Sequence, residues 1–191
     1  MRLSVVHNSV LRLLRKRFLS IGGLSNEFDV LSRKRKKVNM KSFDIRLQEG
    51  FGGLKFGASL EEAGKCFGTP DQTDVLEGPD GSEALVWHYL DYGFSLFFDR
   101  GARDVFSTVE LDKQTNPQLW EKNLFELDEK ALKALFRANG YTEIDEERHT
   151  WGEKRITFDE AHIDFYFENG RMVSINFGVM LTSEELKLFS N

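Results

Sequence analysis

The chain has 191 residues, 40% of them hydrophobic, so it can bury a core, and its single cysteine, Cys66, excludes a disulfide framework and a multi-cysteine zinc site. Charge is divided unevenly: residues 1–41 carry 11 Lys/Arg and 2 Asp/Glu, whereas residues 42–191 carry 15 and 29. The acidic body is expected to repel nucleic acid and anionic lipid and to attract a basic partner.

Residues 1–41 form a basic leader with a net charge of +9. The longest uncharged run, Leu3 to Leu11, is too short to cross a bilayer, and the positive charges follow it, unlike those of a secretory signal. The leader is compatible with a transit peptide, with a basic arm for nucleic acid, or with a stretch upstream of the natural start. We favour the third, because Arg35-Lys36-Lys37 back-translates to a purine-rich, ribosome-binding-like stretch before Met40. The leader is therefore expected to be disordered or a mis-assigned start.

A helix is predicted where the acidic body begins. Ser59 is the predicted N-cap, Glu62 completes a capping box, and Gly68 is the predicted stop. Gly50 to Gly53, just before this helix, lack the lysine and long helix of a phosphate-binding loop and indicate a flexible loop. The polar stretch from Asp71 to Glu83 is predicted to be an exposed loop.

The helix pattern recurs downstream. Asp128 is a second predicted N-cap, and Asn139-Gly140 is a second predicted stop. Apolar positions in both helices recur at three and four residues, which predicts one buried stripe on each. These positions are Leu60, Ala63, Cys66 and Phe67 in the first helix and Ala131, Leu132, Leu135 and Phe136 in the second.

Each predicted helix is followed by a similar strand pattern. Residues 87–101 and 156–170 both contain a strand, a polar turn, an alternating strand and an acidic-x-Gly turn. Asn169-Gly170 is a strong signal for a tight hairpin. Further strands are predicted over 105–111 and 172–177.

These duplicated patterns predict an α+β fold. The expected architecture is a tandem repeat of a short helix followed by an antiparallel β-meander, with the helices packed on one face of the sheet. Residues 42–115 are the first predicted repeat and residues 116–191 the second, together forming one compact body. A last short helix is predicted to begin at Ser183.

The stretch from Gly57 to Pro70 resembles the opening motif of small outer-membrane assembly lipoproteins and of the β-lactamase-inhibitor-protein-like fold. In those families, a Gly-x-Ser/Thr cap starts a short helix that ends in Gly-x-Pro before a β-meander. The resemblance implies a scaffold used for protein binding. It is confined to the fold, because the chain has no lipobox and no partner-contacting residue can be carried over.

No motif for catalysis or for a cofactor stands out. Cys66 lies on the apolar stripe of its helix, which favours an inert thiol. The histidines His88, His149 and His162 lack metal-ligand spacing, so neither a metal nor a cofactor is expected. Acidic pairs such as Glu61-Glu62 and Glu184-Glu185 lie in first turns of predicted helices, where they offset the helix dipole.

The candidate partner-binding residues lie in predicted loops and in the linker between the repeats. Trp120 and Trp151 are candidate interface anchors, since tryptophan dominates binding hot spots. Each could instead close one end of the core. Glu146 and Glu147 beside Trp151, and the carboxylate of the Pro79-Asp80 pair, are the acidic candidates.

We therefore predict a cytoplasmic protein of bacterial character that is not an enzyme. It is expected to bind a basic protein, in the manner of an immunity or inhibitor protein. One alternative is an enzyme that uses paired carboxylates on a small molecule, and another is nucleic-acid binding through the basic leader. No membrane role is expected.

Overall fold

The computed structural model describes residues 43–78, 81–101 and 103–180. In this part of the chain antiparallel sheet predominates and two α-helices accompany it, so the fold is α+β. The helices are α1 (Leu60–Phe67) and α2 (Glu129–Ala138), and the strands are β1 (Ile45–Arg46), β2 (Gly50–Phe51), β3 (Leu54–Lys55), β4 (Gln72–Glu77), β5 (Glu83–Tyr89), β6 (Phe94–Asp99), β7 (Val105–Leu111), β8 (Gln118–Leu119), β9 (Lys122–Asn123), β10 (Asp145–Arg148), β11 (Glu153–Phe158), β12 (Ile163–Glu168) and β13 (Arg171–Gly178).

Both helices begin and end at the predicted residues. Ser59 caps α1, its hydroxyl accepting from the backbone N–H of Glu62 while the Glu62 carboxylate accepts from the backbone N–H of Ser59. Asp128 caps α2 through the backbone N–H of Ala131. The helices end before Gly68 and Asn139. The capping signals therefore fix both helices locally.

The main sheet has eight strands in the order β10-β11-β12-β13-β7-β6-β5-β4, and every neighbouring pair is antiparallel. Strands β4 to β7 form one meander and strands β10 to β13 another. One helix precedes each meander along the chain. The two meanders meet where β13 pairs with β7. We call this pairing the seam.

Alternation along the strands gives the main sheet two different faces. Phe94, Leu96 and Phe98 are buried on what we call the aromatic face, with Phe165 and Ile175 from the other meander. The intervening residues, among them Ser95, Glu110, Asp164 and Asn176, project from the opposite face, which we call the polar face. The predicted alternation in β6 and β12 is confirmed.

The hairpin predicted at Asn169-Gly170 is also confirmed. These two residues join β12 to β13 with φ angles of 51° and 76°. Both angles are positive, as in the type I′ turn that suits a two-residue hairpin. The turn therefore supports the register in which Glu168 lies opposite Arg171.

The prediction of a flexible loop at Gly50 to Gly53 is wrong. Gly50 and Phe51 form β2, and Phe51 is fully buried. Its ring lies 5.3 Å from that of Phe94 and 5.9 Å from that of Phe67, measured between centroids. The segment before α1 is therefore part of the core.

The prediction of an exposed loop from Asp71 to Glu83 is also wrong. Strand β4 occupies Gln72–Glu77 and pairs with β5 over six residue pairs. Strand β10 was likewise not expected, so each meander has four strands where about three were predicted. The predicted helix at Ser183 and the leader of residues 1–41 lie outside the described residues.

One hydrophobic cluster contains buried residues of both helices and of the aromatic face. In α1, Phe67 lies 5.1 Å from Phe94 between ring centroids. In α2, Phe136 lies 5.4 Å from Phe165. Burial of aromatic side chains of this size supplies most of the stabilisation of the sheet.

Candidate protein-binding surface

Trp120 lies in the turn between β8 and β9 and is half-buried. Its ring is 5.0 Å from Phe136 in an edge-to-face arrangement and 5.9 Å from Tyr141. These contacts tie the linker to α2. Trp120 therefore packs against α2. Its role as an interface anchor stays a prediction.

Trp151 lies in the turn between β10 and β11 and is 57% exposed. Its ring stacks on that of His149, with centroids 4.5 Å apart and planes 12° apart. Stacking holds a large apolar surface in place at the end of the sheet. Trp151 thus has the exposure that an interface anchor needs.

Glu146 and Glu147 project from opposite faces of β10, as neighbours in a strand must. Glu146 bridges Lys133 and Lys154 and belongs to an ion cluster against α2. Hydrogen bonds from Lys133 and Lys154 lower the pKa of the Glu146 carboxyl to about 2. Its charge is therefore compensated within the fold, which leaves Glu147 as the more available of the two.

Glu147 lies on the polar face, where Arg155 is its partner at 3.3 Å and also contacts Asp145 at 3.2 Å. His149 Nδ1 lies 3.3 Å from the same Glu147 carboxylate. The last acidic candidate, in the Pro79-Asp80 pair, lies outside the described residues. Of the four described candidates, Glu147 and Trp151 are linked through His149, whereas Glu146 and Trp120 contact residues of α2.

The sheet register reveals a different feature, a row of polar residues that crosses all eight strands on the polar face. Each member lies directly opposite the next across a strand pair, and we call this set the polar row. From β4 to β10 it consists of Gln72, His88, Ser95, Glu110, Asn176, Asp164, Thr157 and Asp145.

One half of the polar row contains a buried histidine with two hydrogen-bond partners. His88 is 2% exposed, and its Nδ1 lies 2.8 Å from the Ser95 hydroxyl while its Nε2 lies 3.1 Å from the Asp74 carboxylate. Burial lowers the pKa of the His88 imidazole, against an opposing effect of Asp74. The ring is therefore neutral near pH 7.

The Asp74, His88 and Ser95 side chains are the residue types of a hydrolase triad, but their arrangement does not fit that chemistry. A triad needs free backbone N–H groups beside the serine to stabilise an oxyanion. Ser95 lies on the interior strand β6, whose backbone is hydrogen-bonded to β5 and β7. The chain of contacts instead satisfies a buried histidine.

The other half of the polar row contains a partly buried carboxylate. Thr157 Oγ1 donates to Asp164 Oδ1. Burial raises the pKa of the Asp164 carboxyl, and the Thr157 hydrogen bond and the Arg155 charge partly oppose this effect. Asp164 is therefore an acidic group held in the sheet at a cost in free energy.

Asn176 and Glu110 form the centre of the polar row, one on each side of the seam. Asn176 is 5% exposed, and its Oδ1 has no hydrogen-bond partner. Its neighbours across the two strand pairs, Glu110 and Asp164, both carry carboxylates. The centre of the row is therefore rich in hydrogen-bond acceptors.

In the part of the chain that the structure describes, both members of the Glu61-Glu62 pair have structural roles. Glu62 completes the cap of α1, and Glu61 pairs with Lys65 at 2.6 Å. A cavity of about 440 Å³ beside α1 is lined by Glu62 and Cys66, among other residues. Burial raises the pKa of the Cys66 thiol, which opposes formation of a nucleophilic thiolate.

Comparison of the chain with protein-family models, with curated proteins and with solved structures finds no match. Neither α1 nor α2, the helices of the described ranges, has the length and apolar character for crossing a membrane. No group of three or more His, Cys, Asp or Glu side chains in those ranges is arranged to hold a metal ion.

Proposed function

We propose that the acidic body is a cytoplasmic protein-binding module that sequesters a basic protein, in the manner of an immunity or inhibitor protein. The observation that carries the proposal is the charge of the polar face. By strand alternation the described strands place many more carboxylates than basic groups there. The carboxylates are Asp74, Asp99, Glu110, Asp145, Glu147, Glu153, Asp164 and Glu168, and the basic groups are Arg155 and Arg171.

A surface of this charge attracts a cationic protein over long range and accelerates the encounter at low salt. Arg155 compensates Asp145 and Glu147 only in part, because one guanidinium serves two carboxylates. Trp151 lies at the same end of the sheet and offers an exposed ring beside the charged groups. Aromatic groups at the centre and polar groups at the rim are typical of a protein–protein interface.

We further propose that the body is a duplication of one helix-and-meander unit, with halves 42–115 and 116–191. Ser59 and Asp128, the two helix caps, are 69 positions apart, and so are the buried Phe67 and Phe136. Strands β6 and β12 have the same spacing. A register irregularity falls between residues 97 and 98 in one and between 166 and 167 in the other, again 69 positions apart.

The seam supports the same inference. Strands β7 and β13 pair almost symmetrically about their centre, as expected for equivalent strands related by a local twofold axis normal to the sheet. Such an axis carries each face of the sheet onto itself, so both helices lie on the aromatic face. The central pairs are Leu111 with Ile175, Glu110 with Asn176 and Val109 with Phe177.

The proposed duplication agrees with the resemblance of residues 57–70 to the assembly lipoproteins and the β-lactamase-inhibitor-protein-like fold. Those families supply a helix-and-sheet scaffold that commonly binds proteins, and the present proposal assigns this chain the same general use. The specific contacts are its own, because they arise from the polar face.

The test is affinity purification with the tagged full chain at about 50 mM and about 500 mM salt, followed by binding measurements on purified candidates. The proposal predicts a specifically enriched protein of high isoelectric point whose Kd rises steeply with salt. A partner that is acidic, or binding that is insensitive to salt, would count against the proposal. A failure to retain any partner at low salt would reject it.

A further inference from the structure

We propose that the centre of the polar row, formed by Asn176 with Asp164, is a recognition site for an arginine side chain of the basic protein partner. This inference rests on the proposed function and names the contact that would make the partner specific. It depends on a single unusual feature of the sheet, a buried acceptor that lacks a donor.

The unpaired acceptor is Asn176 Oδ1. Buried polar atoms in native proteins are hydrogen-bonded in the great majority, because an unpaired one costs about 1–3 kcal/mol. Asn176 is 5% exposed, and its Oδ1 is among only three buried side-chain atoms of the described residues without a partner. A group that donates to this oxygen when bound would remove that cost.

The groups beside Asn176 determine what such a donor must be. Asp164 lies opposite Asn176 on β12, and Glu110 lies opposite it on β7. The Asp164 carboxylate next to the amide oxygen favours a donor that is positively charged. A guanidinium carries five N–H donors in a planar fork, so it can bridge the Asn176 oxygen and the Asp164 carboxylate at once.

The burial of Asn176 also favours arginine. An incoming group has to reach a side chain that is 5% exposed, so it has to be slender. A guanidinium on an aliphatic stem meets this requirement. Arg155, a cation whose charge acts on Asp164, lies on β11 and is engaged by Asp145 and Glu147.

The site is best tested by NMR on the ¹⁵N-labelled full chain titrated with a hexa-arginine peptide. We expect saturable shifts of the Asn176 side-chain amide and of neighbouring backbone amides in β12 and β13. Hexa-lysine should bind more weakly, and hexa-glutamine should cause no shifts. Equal affinity for the arginine and lysine peptides would overturn bidentate recognition.

Two charge-matched variants separate the site from general electrostatic attraction. Asp164→Asn removes one negative charge in the polar row, and Glu61→Gln removes one from the exposed surface of α1. The first should weaken hexa-arginine binding about tenfold, the effect of one charged hydrogen bond, and the second less than about twofold. Equal losses in both variants would reject the site.

Asn176→Leu provides a second variant at the acceptor itself, and it should abolish the localised shifts. Asp164→Asn keeps the proposal testable if the leucine variant does not fold. An Asn176 side-chain amide that does not move at saturation would contradict the proposal directly. Shifts in residues 1–41 that accompany those of Asn176 would assign the site to the chain's own basic leader and overturn the assignment to a partner.

The outcomes also separate this inference from the proposed function. A basic partner that binds with unchanged affinity to Asp164→Asn would preserve the proposed function and reject the arginine site. Specific hexa-arginine binding at Asn176, without any basic protein partner, would preserve the site and reject the proposed function.

Discussion

At the scale of single residues, Asp164 shows how the polar face combines charge with burial. Its carboxylate accepts from Thr157, yet burial is the largest influence on it and raises its pKa. An ionised carboxylate in this position lowers the stability of the folded state at neutral pH. A residue that costs stability while adding charge to an acidic face fits a role in binding.

Asp164→Asn is therefore expected to raise the free energy of unfolding at pH 7.5, because the penalty of burying the ionised carboxylate is removed. The amide oxygen can still accept from Thr157, and the buried charge is gone. Burial raises the folded-state pKa of Asp164 above the unfolded-state value. The contribution of this group to the free energy of unfolding of the wild type is therefore full at low pH and is lost as pH rises through the folded-state pKa. The advantage of the variant should thus shrink toward pH 4.

Urea denaturation of both proteins between pH 4 and pH 7.5 measures this effect. A variant that is less stable than the wild type at pH 7.5 would show that the ionised carboxylate stabilises the sheet. In the binding proposal the same variant binds more weakly, so stability and affinity are expected to change in opposite directions.

Gly170 is a second residue whose identity the backbone requires. Its φ of 76° lies in the left-handed region, and a Cβ added to it would meet no atom within 4 Å beyond its chain neighbours. Gly170→Ala should cost about 1 kcal/mol through backbone strain alone. Gly101→Ala is the matched control, because Gly101 lacks a positive φ and its nearest neighbour would be 3.7 Å away. Equal urea midpoints for the two variants would contradict this account.

At the scale of elements, the two helix caps should behave as equivalents. Ser59→Ala and Asp128→Ala each remove the acceptor that satisfies a first-turn N–H, so each is expected to cost about 1 kcal/mol. Glu61→Gln, an exposed change in α1, should cost less than about 0.5 kcal/mol. Urea midpoints test the set, and a cap variant as stable as the wild type would contradict it.

The elements also show what could be predicted from sequence. Caps, stops and the Asn169-Gly170 turn are local signals, and they placed both helices and the hairpin correctly. Strands β4 and β10 carry no such signal. All four residues of β10 are exposed and charged, and pairing with β11 makes the segment a strand. Phe51 was missed because neighbouring glycines concealed a buried aromatic residue.

The candidate site was harder to predict than the fold. The polar row takes one residue from each of eight strands, and those residues become neighbours only once every register is known. Asn176 and Glu110 meet across the seam, a pairing between strands far apart in the chain. Alternation did indicate that these positions face away from the aromatic residues, but it gave no means of aligning them.

At the scale of the whole molecule, one hydrophobic cluster contains buried residues of both helices and of both meanders. Phe67→Ala and Phe136→Ala should therefore each cost about 3–5 kcal/mol and leave a single cooperative transition. Trp151→Ala, which removes an exposed ring, should cost less than about 1 kcal/mol. Coincident near-UV and far-UV circular dichroism transitions check cooperativity. Two separate transitions in either phenylalanine variant would show that the halves unfold independently.

The polar face and the proposed twofold relation both depend on the continuity of the sheet across β7 and β13. The most direct measurement is the set of backbone NOEs between these strands in the full chain. We expect NOEs that link residues 108–111 with 175–178 and include the Glu110–Asn176 pair. Absence of these NOEs, with β7 and β13 amides exchanging as rapidly as those of edge strands, would contradict the account.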